Sequence, residues 1–428
     1  MEVIDVQVER LIAGGIGLAH WQGMAVLVPF AVPGDRLTVT VQQRGNRFIR
    51  GEIQSIIQAG EGRCEPLCPY YGQCGGCDLQ HMEAATALQG KRDILVDALA
   101  RIGGVREESL IAPPLAAPTV WGYRRRAGFK VRQLADGRAV VGFYQRQSHW
   151  LVDVDSCPAL HPALNQLLSP LRQLIAGMEG GNRIPQIDAV SGEEGCGLVV
   201  HMLVPPSASD RKKLLAFAKE QNIVQLWLQQ GRKSGLQALR QETELYYSLP
   251  PFAMGFHPAD FVQAHFEQNQ QLVALAMEHC QRGEGALDLY CGVGNFSLPL
   301  AERFNKVVGV EGYQAALLRA GSTAKRYGLP HLEFRALDLA NPENLSTLPE
   351  GLDTVLLDPP REGAVAVARW LAAGKVTRVV YVSCDPASLA RDAAILGQGG
   401  FVLKQATPVD MFPQTHHVET VACFERDQ

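Results

Sequence analysis

The segment Leu287-Asp288-Leu289-Tyr290-Cys291-Gly292-Val293-Gly294-Asn295-Phe296 is an apolar strand that runs into a glycine turn and opens a helix. Glycine at 292 and 294 admits unusual φ and lets a ligand come close to the main chain. The next strand, Val307-Val308-Gly309-Val310, closes on Glu311, where a carboxylate can take the hydroxyls of an adenosine ribose. A nicotinamide dinucleotide fits the same spacing. However, the third glycine of that fingerprint is absent, Phe296-Ser297-Leu298 standing in its place, so no pyrophosphate need be accommodated and S-adenosylmethionine is favoured.

Outward from this turn the pattern repeats. After Pro250-Pro251, strand-like runs at 285–289, 306–310, 333–336, 354–357 and 378–382 alternate with helix-length segments. That alternation predicts a parallel sheet with crossover helices. Asp338 follows one run, where an acid can bond an adenine amino group. Asp358-Pro359-Pro360 ends another, at the carboxyl edge where open α/β sheets bind ligands.

The run 379–382 ends at Ser383-Cys384-Asp385-Pro386. Asp is a favoured helix N-cap and Pro a favoured first helical residue. Cys384 is therefore expected at a strand-to-helix junction, beside unpaired N–H groups that favour a thiolate. A thiolate beside a methyl donor suggests one chemistry. Addition at C6 of uracil makes C5 nucleophilic enough to attack a sulfonium methyl, and a base then removes the C5 proton. Glu419, just before the apolar run 421–424, is the base expected for that step, with His417 in reserve.

Upstream, residues 1–58 read as short strands broken by glycine turns, which predicts a small OB-like β-barrel of the kind that commonly binds oligonucleotides. Residues 59–250 read as α+β, with a helix over 83–102 that packs on the catalytic domain, and residues 251–428 form that domain. The loop at 60–80 is rich in Cys and Gly. Cys68, Cys74 and Cys77 supply three thiolates, and Cys157 or Cys64 a fourth. Four thiolates fit zinc and an iron–sulfur cluster equally well.

The 428 residues call for two or three domains, and 46% hydrophobic content is that of an ordinary globular chain. No stretch has the apolar length of a membrane span, and the first residues lack a signal-peptide pattern, so a cytoplasmic protein is expected, a monomer without a membrane or obligate protein partner. Net charge is −4, so any nucleic-acid partner has to be met by a local patch. Between Trp121 and Trp150 seven basic residues face one acid, Asp136. On an extended strand Arg124, Arg126, Lys130 and Arg132 share a face, which reads as a phosphate-tracking surface for RNA.

Taken together these motifs resemble the RNA 5-methyluridine methyltransferases, and within them the 23S rRNA (uracil-C5)-methyltransferase type that carries a TRAM domain and a 4Fe-4S cluster. The likeness spans essentially the whole chain. It implies an α/β Rossmann-like methyltransferase domain, an N-terminal TRAM barrel and a central α+β iron–sulfur domain. It implies Cys68, Cys74, Cys77 and Cys157 as cluster ligands, Cys384 as nucleophile and Glu419 as base. It implies contacts to S-adenosylmethionine from Gln263, Tyr290, Asn295, Glu311, Asp338 and Asp358. The chain departs from the pattern after Gln263, where Ala264-His265 stands in place of Val-Asn. The alternatives to 23S rRNA as substrate are transfer RNA or a second ribosomal site, and a redox-responsive RNA-binding protein without activity.

Overall fold

The computed structural model describes residues 2–231 and 235–426. Its first unit is a closed barrel of β1 (Val3–Ile12), β2 (Ile16–Trp21), β3 (Met24–Pro29), β4 (Arg36–Arg44) and β5 (Phe48–Gln58), in the order β1-β2-β3-β5-β4. Strict alternation along β1 sends Ile4, Val6 and Val8 inward to meet Val26, Val28, Leu37, Val39 and Ile49.

A second, seven-stranded sheet holds β6 (Arg126–Gln133), β7 (Ala139–Tyr144), β8 (Leu151–Asp153), β9 (Gln186–Ser191), β10 (Cys196–Met202), β11 (Ile223–Gln230) and β12 (Leu236–Gln241). Their order is β12-β11-β10-β9-β6-β7-β8. Ala127, Phe129 and Val131 of β6 enter its core with Leu171 and Leu214 from the covering helices. A hairpin, β13 (Leu245–Leu249) and β14 (Phe252–Phe256), leads on to the third unit.

That unit is the sheet expected from the glycine turn. β15 (Gly283–Leu289), β16 (Phe304–Glu311), β17 (Leu332–Ala336), β18 (Thr354–Leu357) and β19 (Arg378–Ser383) run parallel, joined by β20 (Val402–Val409) and β21 (Glu419–Glu425). The order is β17-β16-β15-β18-β19-β21-β20, with β21 antiparallel to both its neighbours. Alternate strand residues enter two cores. Ala286, Leu356 and Val380 pack with the helix Phe266–Cys280, while Leu287, Leu357 and Tyr381 pack with the helix Pro386–Gln398. The helix Ala84–Arg101 adds Leu95 and Leu99 to the second core. It lies against the helix Pro386–Gln398 on one side and β1 of the barrel on the other. No helix among the described residues is long and apolar enough to cross a membrane.

Candidate active site and cysteine centre

The carboxyl edge of the third sheet collects the chemistry. Tyr290, Gly292 and Gly294 all take positive φ (65°, 53° and 91°), which folds the turn back over the end of β15. A Cβ at Gly292 would meet nothing within 4 Å, so the main chain there faces open space that a ligand can fill. Glu311 braces this cradle: one carboxylate oxygen accepts from the Gly292 N–H at 3.3 Å and the other from the Tyr313 N–H at 2.8 Å. Asp338 is exposed beyond β17 and accepts from the Ala340 N–H at 3.0 Å. Gln263 is buried just before the helix Phe266–Cys280.

Asn295 is employed differently. Its side-chain oxygen accepts from the Tyr247 hydroxyl at 2.9 Å and the Asn269 amide at 2.8 Å, and its amide donates back to Asn269 at 2.9 Å. The side chain thus fastens the glycine turn to the helix Phe266–Cys280. Asp288, the penultimate residue of β15, is fully buried; it accepts from the Ser297 hydroxyl at 2.5 Å and is pushed up to about 8 by burial. The departure at His265 is structural: the ring stacks on Tyr123 at 4.8 Å and Nδ1 accepts from the Gln268 N–H, capping the helix.

Two strands away, Cys384 follows β19. The β19–β21 ladder pairs Ser383 with Thr420, so its next step sets Cys384 alongside Glu419, the first residue of β21. Because β21 runs antiparallel, its beginning falls on the edge where the parallel strands end. Asp358, at the end of β18, completes the group. Glu419 is buried and Asp358 half-buried, and Glu419 Oε1 has no hydrogen-bond partner among the described residues.

The expected thiolate is not found in this state. Burial first, then the charges of Glu419 and Asp358, push the Cys384 thiol up to about 12, against a smaller lowering by Arg361. The helix terminus does not rescue it, because Asp385 uses those donors itself: its carboxylate accepts from the Ser388 N–H at 2.8 Å. Burial also raises both carboxyls, Asp358 to about 7 and Glu419 well above its ordinary range, where repulsion from Asp358 adds to the effect. His417 lies in the same segment but its pKa is lowered to about 4 by burial and by its neighbours His416 and Arg361.

The second centre is the cysteine loop. Cys68, Cys74, Cys77 and Cys157 line one cavity of about 170 Å³, closed by Tyr70, Phe143, Val154 and Leu160 and faced by Arg124. Cys64 does not line it; its sulfur turns to the Gln80 carbonyl at 3.5 Å. A single zinc ion needs four sulfurs within about 2.3 Å of one point. Among the described residues, no three His, Cys, Asp or Glu groups are spaced to hold one ion. Burial raises the thiols of Cys74, Cys157 and Cys77, the last to about 12. Held together in so apolar a cavity, four thiolates would need a cationic group to neutralise them.

The four cations expected to share one face of a strand are divided. Arg124 precedes β6 and turns to the cysteine cavity. Arg126 is inserted against the carbonyls of Pro258 (3.2 Å) and Asp260 (2.5 Å). Lys130 bonds Gln186 and sits 5.0 Å over the Tyr144 ring, and Arg132 is exposed. Alternation does set Arg126, Lys130 and Arg132 opposite the core face of β6, with Arg124 outside the strand, but the strand pattern carries no information about which elements pack on that face.

Sequence reasoning missed the supports of the segment before Glu419. Lys91 Nζ bonds Asp410 at 2.6 Å and the Phe412 carbonyl at 3.0 Å, both carboxylate and ammonium being buried. Its signal was present: Lys91 interrupts the apolar stripe Ala87, Ile94, Leu95, Leu99 of the helix Ala84–Arg101.

A glycine turn braced by an acid, on a sheet of this order, defines a methyltransferase-type α/β domain. The family described as tRNA (Uracil-5-)-methyltransferase matches residues 85–320 and 346–427, and the chain belongs to that family. It is 40% identical to a protein of Aromatoleum aromaticum named 23S rRNA (uracil(1939)-C(5))-methyltransferase RlmD, across 98% of this chain and 99% of that one. It is 39% identical to the protein of the same name from Methylococcus capsulatus, across 99% and 97%. The fold is shared with the crystal structure of Pyrococcus abyssi tRNA (uracil-54, C5)-methyltransferase in complex with S-adenosyl-L-homocysteine, at a TM-score of 0.75 and 24% identity, over 98% of this chain and 99% of that one.

Proposed function

We propose that this protein transfers a methyl group from S-adenosylmethionine to C5 of a uridine in 23S rRNA, through a covalent adduct with Cys384. One observation carries the chemistry: Cys384 and Glu419 end neighbouring strands of one ladder, on the edge that also bears the glycine turn. Family membership and the names of the full-length relatives support uridine C5 and ribosomal RNA. Tyr290, Glu311, Asp338 and Gln263 hold the methyl donor. Asn295 keeps the turn in place.

In the reaction the Cys384 thiol loses its proton to solvent water before the base is seated, and its sulfur then adds to C6 of the ring. The electron pair released toward C5 attacks the sulfonium methyl, and S-adenosylhomocysteine departs. Glu419, ionised by then, takes the proton from C5, and the thiolate is expelled from C6 as the double bond re-forms. The free Oε1 of Glu419 suits this role, since no protein donor competes for it.

The target base has to leave its stack to reach this edge. The barrel, read as a TRAM domain, and the outward Lys130 and Arg132 hold the RNA backbone. Cys68, Cys74, Cys77 and Cys157 would hold a 4Fe-4S cluster, which would tie the cysteine loop to the segment at Cys157. No electron transfer is needed for methylation.

RNA carrying 5-fluorouridine tests the reading, because fluorine cannot leave as a proton. Wild type forms a complex stable to denaturing electrophoresis, and Cys384→Ala forms none. An adduct with Cys384→Ala would overturn the nucleophile. Methylation of transfer RNA in preference to a 23S rRNA fragment would overturn the substrate.

A further inference from the structure

The cysteine loop and the segment leading into Glu419 are over 300 residues apart in sequence and are joined at Asp78. Asp78 follows Cys77. Its carboxylate accepts from the His416 backbone N–H at 2.7 Å, and its second oxygen meets His416 Nδ1 at 2.5 Å. The N–H groups of Asp78 and Leu79 both donate to the Gln414 carbonyl at 3.0 Å. Gln414 has φ +68°, a conformation that a non-glycine residue keeps only where its surroundings hold it.

The same junction is packed as well as bonded. Val418, the residue before Glu419, is buried with Leu79 and Met82 of the cysteine loop, Ile94 of the helix, and Leu11 and Val32 of the barrel. A Cβ added at Gly15 of the barrel would come within 3.0 Å of both His416 and Leu79. On the other flank, Lys91 holds Asp410 and Phe412, and the Tyr123 hydroxyl donates to the Pro413 carbonyl at 2.9 Å. Residues 410–413 are therefore tied down by Lys91 and Tyr123, whereas residues 414–416 are tied down by Asp78. The β20–β21 ladder takes hold at Glu419, paired with Val409, and sets the backbone from there onward. The entry direction of Glu419, and so the aim of its unpartnered Oε1, is set from 414 to 418.

We propose that Asp78 is a positioning residue: it clamps the cysteine loop to the turn Gln414–His416 and thereby aims the carboxylate of Glu419. This rests on the role given to Glu419 above. It makes the placement of the base depend on an ordered cysteine loop, without giving that loop any part in bond-making.

The test uses the full-length, metal-loaded protein with Asp78→Ala and Asp78→Asn. Hydrogen exchange over residues 411–419 is expected to quicken at least about tenfold in Asp78→Ala. Iron content and exchange in the barrel stay as in wild type. kcat falls by about 10–10²-fold with the KM for S-adenosylmethionine unchanged. Covalent complex with ordinary uridine RNA then accumulates, because proton removal lags behind methyl transfer. Asp78→Asn keeps one acceptor for the His416 N–H and recovers most of the protection. Unchanged exchange over 411–419 overturns the proposal, as does a fall in kcat without build-up of complex in an enzyme that otherwise forms the 5-fluorouridine adduct. If wild type forms no such adduct, the nucleophile reading fails instead, and the exchange result alone decides the clamp.

Discussion

Cys384 and Glu419 stand one step past the Ser383–Thr420 pair of an antiparallel ladder, so the proposed nucleophile and base are neighbours across strands rather than along the chain. Sheet geometry holds neighbouring strands about 5 Å apart, which leaves both side chains able to address one planar ring from the same edge. The placement owes nothing to loop conformation on the Cys384 side, because β19 and the helix Pro386–Gln398 fix it from both directions.

Replacing Glu419 with Gln leaves thiolate addition and methyl transfer possible and removes the base. Turnover is expected to drop about 10²–10⁴-fold, with a covalent protein–RNA species accumulating on unmodified uridine RNA. Gel shift under denaturing conditions reads it directly. Quick release of 5-methyluridine by this variant would exclude Glu419.

Activity is expected to climb with pH. Cys384 and Glu419 both work deprotonated, and burial raises both, with Asp358 at about 7 beside them. Raised acid groups hold their protons to higher pH, so kcat/KM falls on the acid side, by about tenfold per unit where one proton governs. A profile from about pH 6 to 9 on a short RNA checks this. A bell with its maximum below neutrality would contradict the burial of these groups.

Lys91→Met should be costly. It leaves Asp410 as a buried charge without a partner, for about 3–5 kcal/mol. Adding Asp410→Leu removes that charge and is expected to restore at least half of the loss, a coupling that denaturant melts of the four proteins can measure. Independent, additive effects would mean that the pair is not in contact in solution.

Cysteine substitutions separate the ligands from the bystander. Cys157→Ala is expected to abolish bound iron in protein purified without oxygen, as would changes at Cys68, Cys74 or Cys77. Cys64→Ala retains it, since that sulfur faces the Gln80 carbonyl instead of the cavity. Iron assay and the visible absorption band give the answer. Stoichiometric zinc in place of iron would reverse the assignment of the group.

Much of this molecule was legible from its residues because the signals are local. Apolar runs bounded by Gly, Asp and Pro located the parallel strands from β15 to β19 to within two or three residues. The turn at 290–294 and the acid at 311 follow from short-range chemistry. What stayed hidden depends on tertiary packing. The charge state of Cys384 could not be read, because the neighbours that raise it come from β18 and β21, and its own Asp385 satisfies the helix terminus. Arg126 reads as an exposed cation until the 258–260 segment closes over it. Asn295 looks like a ligand contact until Asn269 and Tyr247 are seen to occupy it.

β21 is the latest strand in the chain yet lies between β19 and β20 in the sheet. A ribosome-bound precursor lacking it carries the sulfur nucleophile beside a bare, unpaired strand edge and has no proton acceptor. Such a precursor could capture RNA without releasing it, and its open edge invites aggregation. Insertion of β21 between its neighbours closes that edge and brings Glu419 alongside Cys384 in a single event.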